Sequence, residues 1–132
     1  MDQVKYYMDE SIISIDTESS VSEAARKMRD NKVGSLLIEE KGKFTGVISE
    51  GDLTRKVLAE GLDPGETKVS AVISNPIIVI DCEISMVEAF LHMRKHNIRH
   101  IVVTEKKKIA GVLSIKDFAT YYINKISREQ SQ

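Results

Sequence analysis

The chain has 132 residues, a formal net charge of −1 and a sequence pI near 6.3. This length suits one compact domain, and the near-neutral charge argues against nucleic acid as the main partner because it supplies no bulk positive field. Cys82 is the only cysteine, which excludes an internal disulfide and a zinc site of paired thiolates. No apolar run reaches membrane-spanning length and no export signal is visible, so we expect a cytoplasmic protein that does not enter the membrane.

The first half of the chain predicts the element order β-α-β-β-α. Residues 4–8 form a helical turn, and the strands are expected over residues 12–15, 34–38 and 44–48. Ser20 caps the first helix with Glu23 three residues later, and that helix is expected to end near Asn31. A second helix follows Ser49. Its inner face is predicted to carry Leu53, Val57 and Leu58.

The second half predicts the same elements in the same order. Its strands are expected over residues 77–80, 100–103 and 109–113. Ser85 caps a helix with Glu88 three residues on, and the last helix is expected over residues 115–126, followed by a frayed polar tail. The polar stretch 61–68 joins the halves. The predicted ranges are therefore 1–66 with a core of 4–60, and 67–132 with a core of 69–126.

The two halves are copies of each other. Residues 4–53 lie over residues 69–118 without a gap, and roughly 17 of the 41 positions from Ile12 to Asp52 are identical to their partners, against about three expected from composition. Both copies end in glycine, two aliphatic residues and a Ser-x-x-Asp group. Ser49 and Asp52 belong to the first group, and Ser114 and Asp117 to the second. The duplication predicts a pseudo-twofold pair of half-domains.

The Ser-x-x-Asp group has two interpretations. A serine followed three residues later by an acidic residue, before an apolar helical pattern, is typical of an ordinary helix N-cap. The same group also brings a hydroxyl, a carboxylate and free helical N–H groups to one strand-to-helix corner. An ionised aspartate accepts hydrogen bonds at both oxygens, and the vicinal hydroxyls of a ribose offer two donors at a matching separation.

These features resemble those of the cystathionine β-synthase (CBS) domain pair, or Bateman module, over essentially the whole chain from Val4 to about Ile126. Three features carry the resemblance, and each occurs in both copies. They are the lead-in before the first strand, the central aliphatic strand and the Ser-x-x-Asp ending. The central strand lies within residues 98–103 of the second copy, where it follows Arg99, and within residues 33–38 of the first. The resemblance implies a mixed α/β (α+β) fold of two pseudo-twofold βαββα repeats packed through their sheets as one compact module.

The resemblance also implies two clefts that bind an adenosine nucleotide or S-adenosylmethionine, each combining the lead-in of one copy with the Ser-x-x-Asp group of the other. In such proteins the aspartate holds the ribose. The first implied set of ligand-binding residues is Met8, Ser11, Ile12, Ile13, Arg99, Ser114, Lys116 and Asp117. The second implied set is Ile73, Pro76, Ile77, Ile78, Ser49 and Asp52. The apolar members of both sets could equally belong to the core.

The two clefts are not expected to be equal. Arg99 and Lys116 offer cationic donors to a phosphate, whereas the corresponding positions in the first copy are Gly34 and Gly51. An arginine at a strand end is also commonly a solvated surface charge. We therefore predict that the cleft with Asp117 binds a phosphate-bearing ligand better than the cleft with Asp52.

No catalytic motif is visible: the sequence has no Walker-type loop, no Gly-x-Gly-x-x-Gly and no nucleophile with a base partner. His92 and His96 stand four residues apart, but this is a weak metal signal and no metal is predicted. The pattern favours a stand-alone regulatory or energy-sensing protein with an unknown protein partner over an enzyme. A scaffold that binds no ligand and a nucleic-acid binder are the alternatives.

The resemblance further implies a homodimer that forms through helices. Two apolar helix stripes are candidate pairing surfaces, with a place in the intramolecular core as the alternative. The stripes are Val21, Ala24, Ala25 and Met28, and Met86, Ala89, Phe90 and Met93.

Overall fold

A computed structural model describes residues 1–73 and 77–131. The strands are β1 (Ser14–Asp16), β2 (Ser35–Glu40), β3 (Lys43–Ser49), β4 (Val79–Asp81), β5 (His100–Glu105) and β6 (Lys108–Ser114). The α-helices are α1 (Val21–Asn31), α2 (Glu50–Asp52), α3 (Met86–His96) and α4 (Ile115–Gln130). Short 3-10 turns lie at Val4–Tyr6 and Val69–Ala71. The predicted mixed α/β class and the repeated β-α-β-β-α order are confirmed.

The chain packs as two compact units that do not follow the order of the sequence. One unit comprises Met1–Ile12 and Ile78–Gln132, and the other comprises Ile13–Ile77. Each unit therefore joins the sheet of one repeat to the lead-in segment that precedes the other repeat. We call Met1–Ile12 the N-terminal lead-in. The ranges 1–66 and 67–132 describe the sequence repeats and stay a prediction.

Each unit contains a three-stranded sheet with its most buried strand in the centre. In the order β1-β2-β3 the first pair is parallel and the second antiparallel, and β4-β5-β6 repeats this arrangement. The central strands are buried at three consecutive positions, Leu36–Ile38 and Ile101–Val103, so both of their faces are covered. This burial explains why these runs are continuously apolar rather than alternating.

The two antiparallel hairpins close through two-residue turns of unequal composition. In the first hairpin Lys41 and Gly42 have φ of 51° and 79°, and in the second Lys106 and Lys107 have φ of 50° and 67°. Two successive positive φ values are those of a type I′ turn, which glycine adopts at little cost and lysine does not. The second turn is therefore the more strained of the two.

The predicted helix caps are present. Ser20 Oγ accepts the N–H of Glu23 and Ser85 Oγ accepts the N–H of Glu88, both at 3.1 Å. Helix α1 ends at Asn31 as expected, because Lys32 adopts the left-handed conformation with φ of 55°.

The apolar helix stripes lie in the cores of the units, in agreement with the intramolecular alternative. Val21, Ala24 and Met28 are buried in one core, and Met86, Ala89 and Met93 in the other. Phe90 is half-buried and stacks on Phe118 of α4 at 4.5 Å between ring centroids, and Ala25 is exposed. Most of these residues are therefore unavailable for pairing with a second chain.

Two predictions about the last helix of each repeat are corrected. Leu58 is 75% exposed rather than inward-facing, because Leu53–Leu58 is a π-helical segment in which the N–H of Ala59 bonds the carbonyl of Thr54, five residues back. The wider turn rotates Leu58 away from the core. Helix α4 continues to Gln130 rather than 126, since Arg, Glu and Gln favour a solvated helix.

Candidate functional site: two strand-to-helix corners

Both Ser-x-x-Asp groups form the same strand-to-helix corner. Ser49 and Ser114 end their strands in the extended conformation, with φ of −118° and −120°, and the helix begins at the next residue. At the second corner, Asp117 Oδ2 accepts the Ser114 N–H at 2.9 Å and the Ser114 hydroxyl at 3.2 Å, while Ser114 Oγ accepts the Asp117 N–H at 3.4 Å. The corresponding distances at the first corner are 2.9, 3.1 and 3.3 Å. Each group is a reciprocal capping box.

The capping box fixes the carboxylate and leaves one oxygen directed elsewhere. At both corners Oδ2 takes the two serine donors, so the side chain cannot rotate without breaking both bonds. Oδ1 is the oxygen available for other partners. The two readings of the motif, as a cap and as a binding corner, are therefore compatible with each other.

Arg99 and Lys116 both lie near the second corner, in the same compact unit. The Arg99 carbonyl accepts the N–H of Ile115, the first residue of α4, at 3.1 Å. The side chains of Arg99 and Lys116 are exposed to solvent. Two solvent-exposed cationic side chains are thus attached to the backbone at or beside the corner.

The N-terminal lead-in pairs with β6 next to the second corner. Asp9 and Val112 exchange two backbone hydrogen bonds, at 2.9 and 3.0 Å, as an isolated antiparallel bridge. A Cβ added to Gly111 would lie 2.7 Å from the Asp9 carbonyl oxygen and 3.1 Å from Met8 Sδ. Gly111 therefore permits a close backbone approach that no other residue type would allow.

Asp9 also affects the charge of the second corner. Burial raises the pKa of the half-buried Asp117 above 3.8, the two serine hydrogen bonds lower it, and the charge of Asp9 raises it further while that of Lys116 lowers it. The net direction is upward, since loss of hydration outweighs the serine bonds. The interpretation of the sequence missed Asp9. Its position in the lead-in, next to the predicted contact residue Met8, was the available signal.

The first corner has an ion pair that has no counterpart at the second corner among the described residues. Lys56 Nζ lies 3.1 Å from Asp52 Oδ1, and the side chain of Asp52 is only 18% exposed. The position equivalent to Lys56 in the second repeat is Tyr121, which is buried in the core and meets Tyr7 edge to face at 5.3 Å. Among the residues described by the structure, Asp117 Oδ1 has no hydrogen-bond or ion-pair partner.

Arg55 brings a second cation to the first corner. Its guanidinium lies over Gly51, with Nη2 2.6 Å from the point that a Cβ of Gly51 would occupy. The sequence comparison found only glycines, Gly34 and Gly51, where the second copy has its cations. It therefore missed Arg55 and Lys56, which the next helical turn brings to the first corner. The spacing of Asp52 and Lys56, four residues apart in a helix, was the signal that could have found the pair.

The remaining predicted site residues divide between the two units. Ile12 closes the N-terminal lead-in, and the Ser11 N–H bonds Asp9 Oδ1 at 2.8 Å. Ile13 belongs to the other unit, where its carbonyl accepts the N–H of Leu37 at 3.0 Å. Their binding roles stay a prediction.

In the first-corner set, Ile73 packs on the core that contains Val57, and Ile77 is half-buried in the same unit. Ile78 instead packs on the core of the unit that contains Asp117. Pro76 lies outside the described residues. These binding roles also stay a prediction.

Two other features of the described residues concern metal-ligating side chains and membrane-spanning helices. Within residues 1–73 and 77–131 no three His, Cys, Asp or Glu side chains come together in a group that could hold a metal ion. His92 and His96 stack in parallel at 6.4 Å on exposed positions of α3. No helix in the described part of the chain is both long and apolar enough to cross a membrane.

A comparison with models of protein families identifies the family to which the duplicated sequence belongs. The family model of the CBS domain matches twice, over residues 4–59 and 69–124. The chain belongs to the CBS domain family. Each matched segment contains one Ser-x-x-Asp corner; the first ends one residue after the helical segment Leu53–Leu58, and the second ends within α4.

Individual relatives cover the chain to different extents. The CBS domain-containing protein YhcV of Bacillus subtilis is 27% identical over 99% of this chain and 91% of its own length. An uncharacterized protein of Methanopyrus kandleri is 34% identical, but the match covers 76% of this chain and 52% of the relative. A solved structure of an uncharacterized conserved protein from Pyrococcus horikoshii has a TM-score of 0.84 at 27% identity, covering 91% of both chains.

Membership of the family gives a coarse function. CBS-pair proteins are generally regulatory or ligand-sensing modules, and those that stand alone are generally regulatory rather than catalytic.

Proposed function

We propose that this protein is a regulator that binds an adenosine-containing ligand, AMP, ADP, ATP or S-adenosylmethionine, at the corner formed by Ser114 and Asp117. The observation that carries the proposal is the state of Asp117: Oδ2 is fixed by two serine bonds, while Oδ1 has no partner among the described residues. An ionised carboxylate held in this way is pre-organised to accept the two vicinal hydroxyls of a ribose.

The other predicted residues supply the remaining parts of a nucleotide site. Met8 and its neighbours in the N-terminal lead-in offer apolar surface and backbone groups to the adenine. Arg99 and Lys116 offer donors to a phosphate, and because their side chains are exposed they can adapt to different phosphate counts. S-adenosylmethionine would use the ribose contact and need neither cation.

Signalling would follow from the ligand's contacts with the N-terminal lead-in. This segment is held to its unit by backbone bonds at Val4, Lys5 and Asp9 and by the ion pair of Lys5 with Glu83 at 2.9 Å. A ligand that touches both the lead-in and the Asp117 corner binds the docked form more tightly and shifts the population toward it. An unidentified protein partner would read that change.

A panel of adenosyl ligands tests this function. Thermal unfolding is measured with AMP, ADP, ATP, S-adenosylmethionine and NADH, each at millimolar concentration, and with inosine monophosphate as a control for base choice. A true ligand raises the melting temperature in a concentration-dependent way, and Asp117→Asn removes the rise. If none of the five ligands raises the melting temperature, the proposal is wrong.

A scaffold without a ligand is the second candidate, because the capping boxes alone give both motifs a structural purpose. In that case Asp117→Asn would change the stability of the protein but no adenosyl ligand would stabilise it. The panel therefore separates the two functions. A gel shift that weakens with salt would support the remaining alternative, nucleic-acid binding.

We further propose a homodimer that forms through the outer faces of α3 and α4. The Phe90–Phe118 stack shows that these helices are neighbours, and their outward apolar residues Val87, Leu91, Tyr122 and Ile123 are 50–62% exposed. A contiguous exposed apolar patch is typical of an association surface. Sedimentation equilibrium should show a dimer that Leu91→Lys weakens at least tenfold. A wild-type monomer at millimolar concentration would contradict it.

A further inference from the structure

The number of hydrogen bonds that each corner aspartate can still accept differs between the corners. A carboxylate offers about four acceptor positions on its two oxygens. The Ser114 N–H and hydroxyl use two of them at Asp117, and the Ser49 N–H and hydroxyl use two at Asp52. Lys56 takes one more at Asp52. This leaves roughly two positions on Asp117 and roughly one on Asp52.

A ribose needs both of the positions that remain at Asp117. Its vicinal hydroxyls donate as a pair, so an aspartate with one open position can hold only one of them unless an existing partner leaves. At Asp52 the partner that could leave is Lys56, because both serine donors belong to the capping box that starts the helix. Any ribose bound there must displace this i,i+4 ion pair, in which the Asp52 side chain is 18% exposed and the Lys56 side chain 40% exposed.

We propose that Lys56 determines how many ribose-binding corners the chain has, by acting as an internal competitor for Asp52. The inference rests on the proposed function, since it concerns the same chemistry at the duplicate corner. Lys56 keeps the first corner closed to adenosine ligands while the second stays open. At the equivalent position of the second repeat, Tyr121 points into the core and is 3% exposed, and no other described residue pairs with Asp117 Oδ1.

The first step of the test measures the ion pair without any ligand. Urea unfolding is compared for wild type, Asp52→Asn, Lys56→Met and the double variant, so that the cycle isolates the pair from other contacts of Lys56. We expect a coupling of roughly two- to fivefold in the unfolding equilibrium constant. A coupling below about 1.5-fold would mean that the pair does not persist in solution, and the inference would be wrong.

The second step measures binding of AMP by calorimetry. Wild type should bind one AMP per chain, Asp117→Asn should weaken binding at least tenfold, and Asp52→Asn should change it less than twofold. Adding Lys56→Met to Asp117→Asn should restore affinity by roughly two- to fivefold, the same factor as the coupling of the ion pair that the ligand no longer has to displace. Lys95→Met, which removes an exposed charge from the last turn of α3, is the matched control and should restore nothing.

The outcomes distinguish the inference from the function on which it rests. If wild type binds AMP but Lys56→Met restores no affinity to Asp117→Asn, the inference is wrong and the proposed function stands. Binding by the Lys56→Met variants alone would support the inference and overturn the assignment of the site to Asp117. If neither wild type nor any Lys56→Met variant binds AMP, AMP binding at both corners is excluded and the inference falls with it.

Discussion

The two strand-to-helix corners of this protein are nearly identical in their backbone and differ in what reaches the aspartate. The three hydrogen bonds of each capping box agree closely, at 2.9, 3.1 and 3.3 Å in one corner and 2.9, 3.2 and 3.4 Å in the other. Four residues later the first corner has Lys56, which pairs with its aspartate, and the second has Tyr121, which packs inward. The duplicated motif thus has the same capping box in both repeats. The partner of its aspartate differs because the residue one helical turn later differs.

The same comparison separates stability from binding. The serine of each corner stabilises a helix start, so its loss should act equally on the two repeats. The Oδ1 atom of each aspartate has different surroundings in the two repeats. A substitution near one Oδ1 should therefore affect ligand binding at that corner only. The following variants test this division, from the largest expected effect to the smallest.

Replacing Gly111 by Ala should have the largest effect on stability. The new Cβ would lie 2.7 Å from the Asp9 carbonyl oxygen, which is backbone and cannot move without breaking the bridge to Val112. We expect a loss of about 1–3 kcal/mol in the free energy of unfolding, measured by urea titration. Gly65→Ala is the control, because its nearest neighbour is Asp63 Oδ1 at 3.5 Å, and it should change stability by less than about 0.5 kcal/mol. Equal effects would show that the lead-in is not docked on β6.

Removing the cap serines should affect the two repeats alike. Ser49→Ala and Ser114→Ala each lose the acceptor for one helical N–H and should each cost about 1 kcal/mol in unfolding free energy. Thermal or urea unfolding of both variants at one pH measures this. A difference of more than about 1 kcal/mol between them would contradict the structural equivalence of the corners.

Much of this arrangement could be predicted from the sequence. The capping serines, the hairpins and the β-α-β-β-α order follow from local patterns, and the duplication gives each prediction an independent second example. The course of the helix after Asp52 could not be predicted in this way, since the apolar pattern alone does not show that the turn is π-helical, with Val57 buried and Leu58 exposed. The role of Gly111 could not be predicted either, because its contact with Asp9 joins residues distant in the chain.

The hairpin turns give a smaller contrast between the repeats. Lys107 holds a positive φ of 67° where the first hairpin has Gly42 at 79°. Lys107→Gly should therefore raise the unfolding free energy by about 0.5–1 kcal/mol, since the relieved strain exceeds the added flexibility of the unfolded chain. The reciprocal variant Gly42→Lys should lower it by a similar amount. Destabilisation by Lys107→Gly would mean that the lysine makes a compensating contact.

The smallest expected effect is that of the charges near Asp117 on its pKa, and so on the pH dependence of stability and AMP binding. Because burial raises the pKa of Asp117 above 3.8, its ionisation disfavours the folded state, and this penalty appears as the pH rises through the raised pKa and is absent below 3.8. Ribose binding needs the ionised form, so AMP affinity should fall as the pH is lowered through the same raised pKa. Asp9→Asn should lower the pKa and Lys116→Met should raise it, measured from the Asp117 carboxyl carbon shift by NMR. Shifts in the opposite directions would contradict the charge assignment.

The central claim is that the second corner, and not the first, holds an adenosine ligand. An NMR titration of the uniformly 15N-labelled wild-type chain with AMP tests it directly, because both corners report through their own backbone amides without any substitution. Binding at the second corner alone should give saturable shifts at Ser114, Lys116 and Asp117, with the amides of Ser49, Gly51 and Asp52 unmoved. Saturable shifts at Ser49, Gly51 and Asp52 would contradict it, whether or not Ser114 and Asp117 also move.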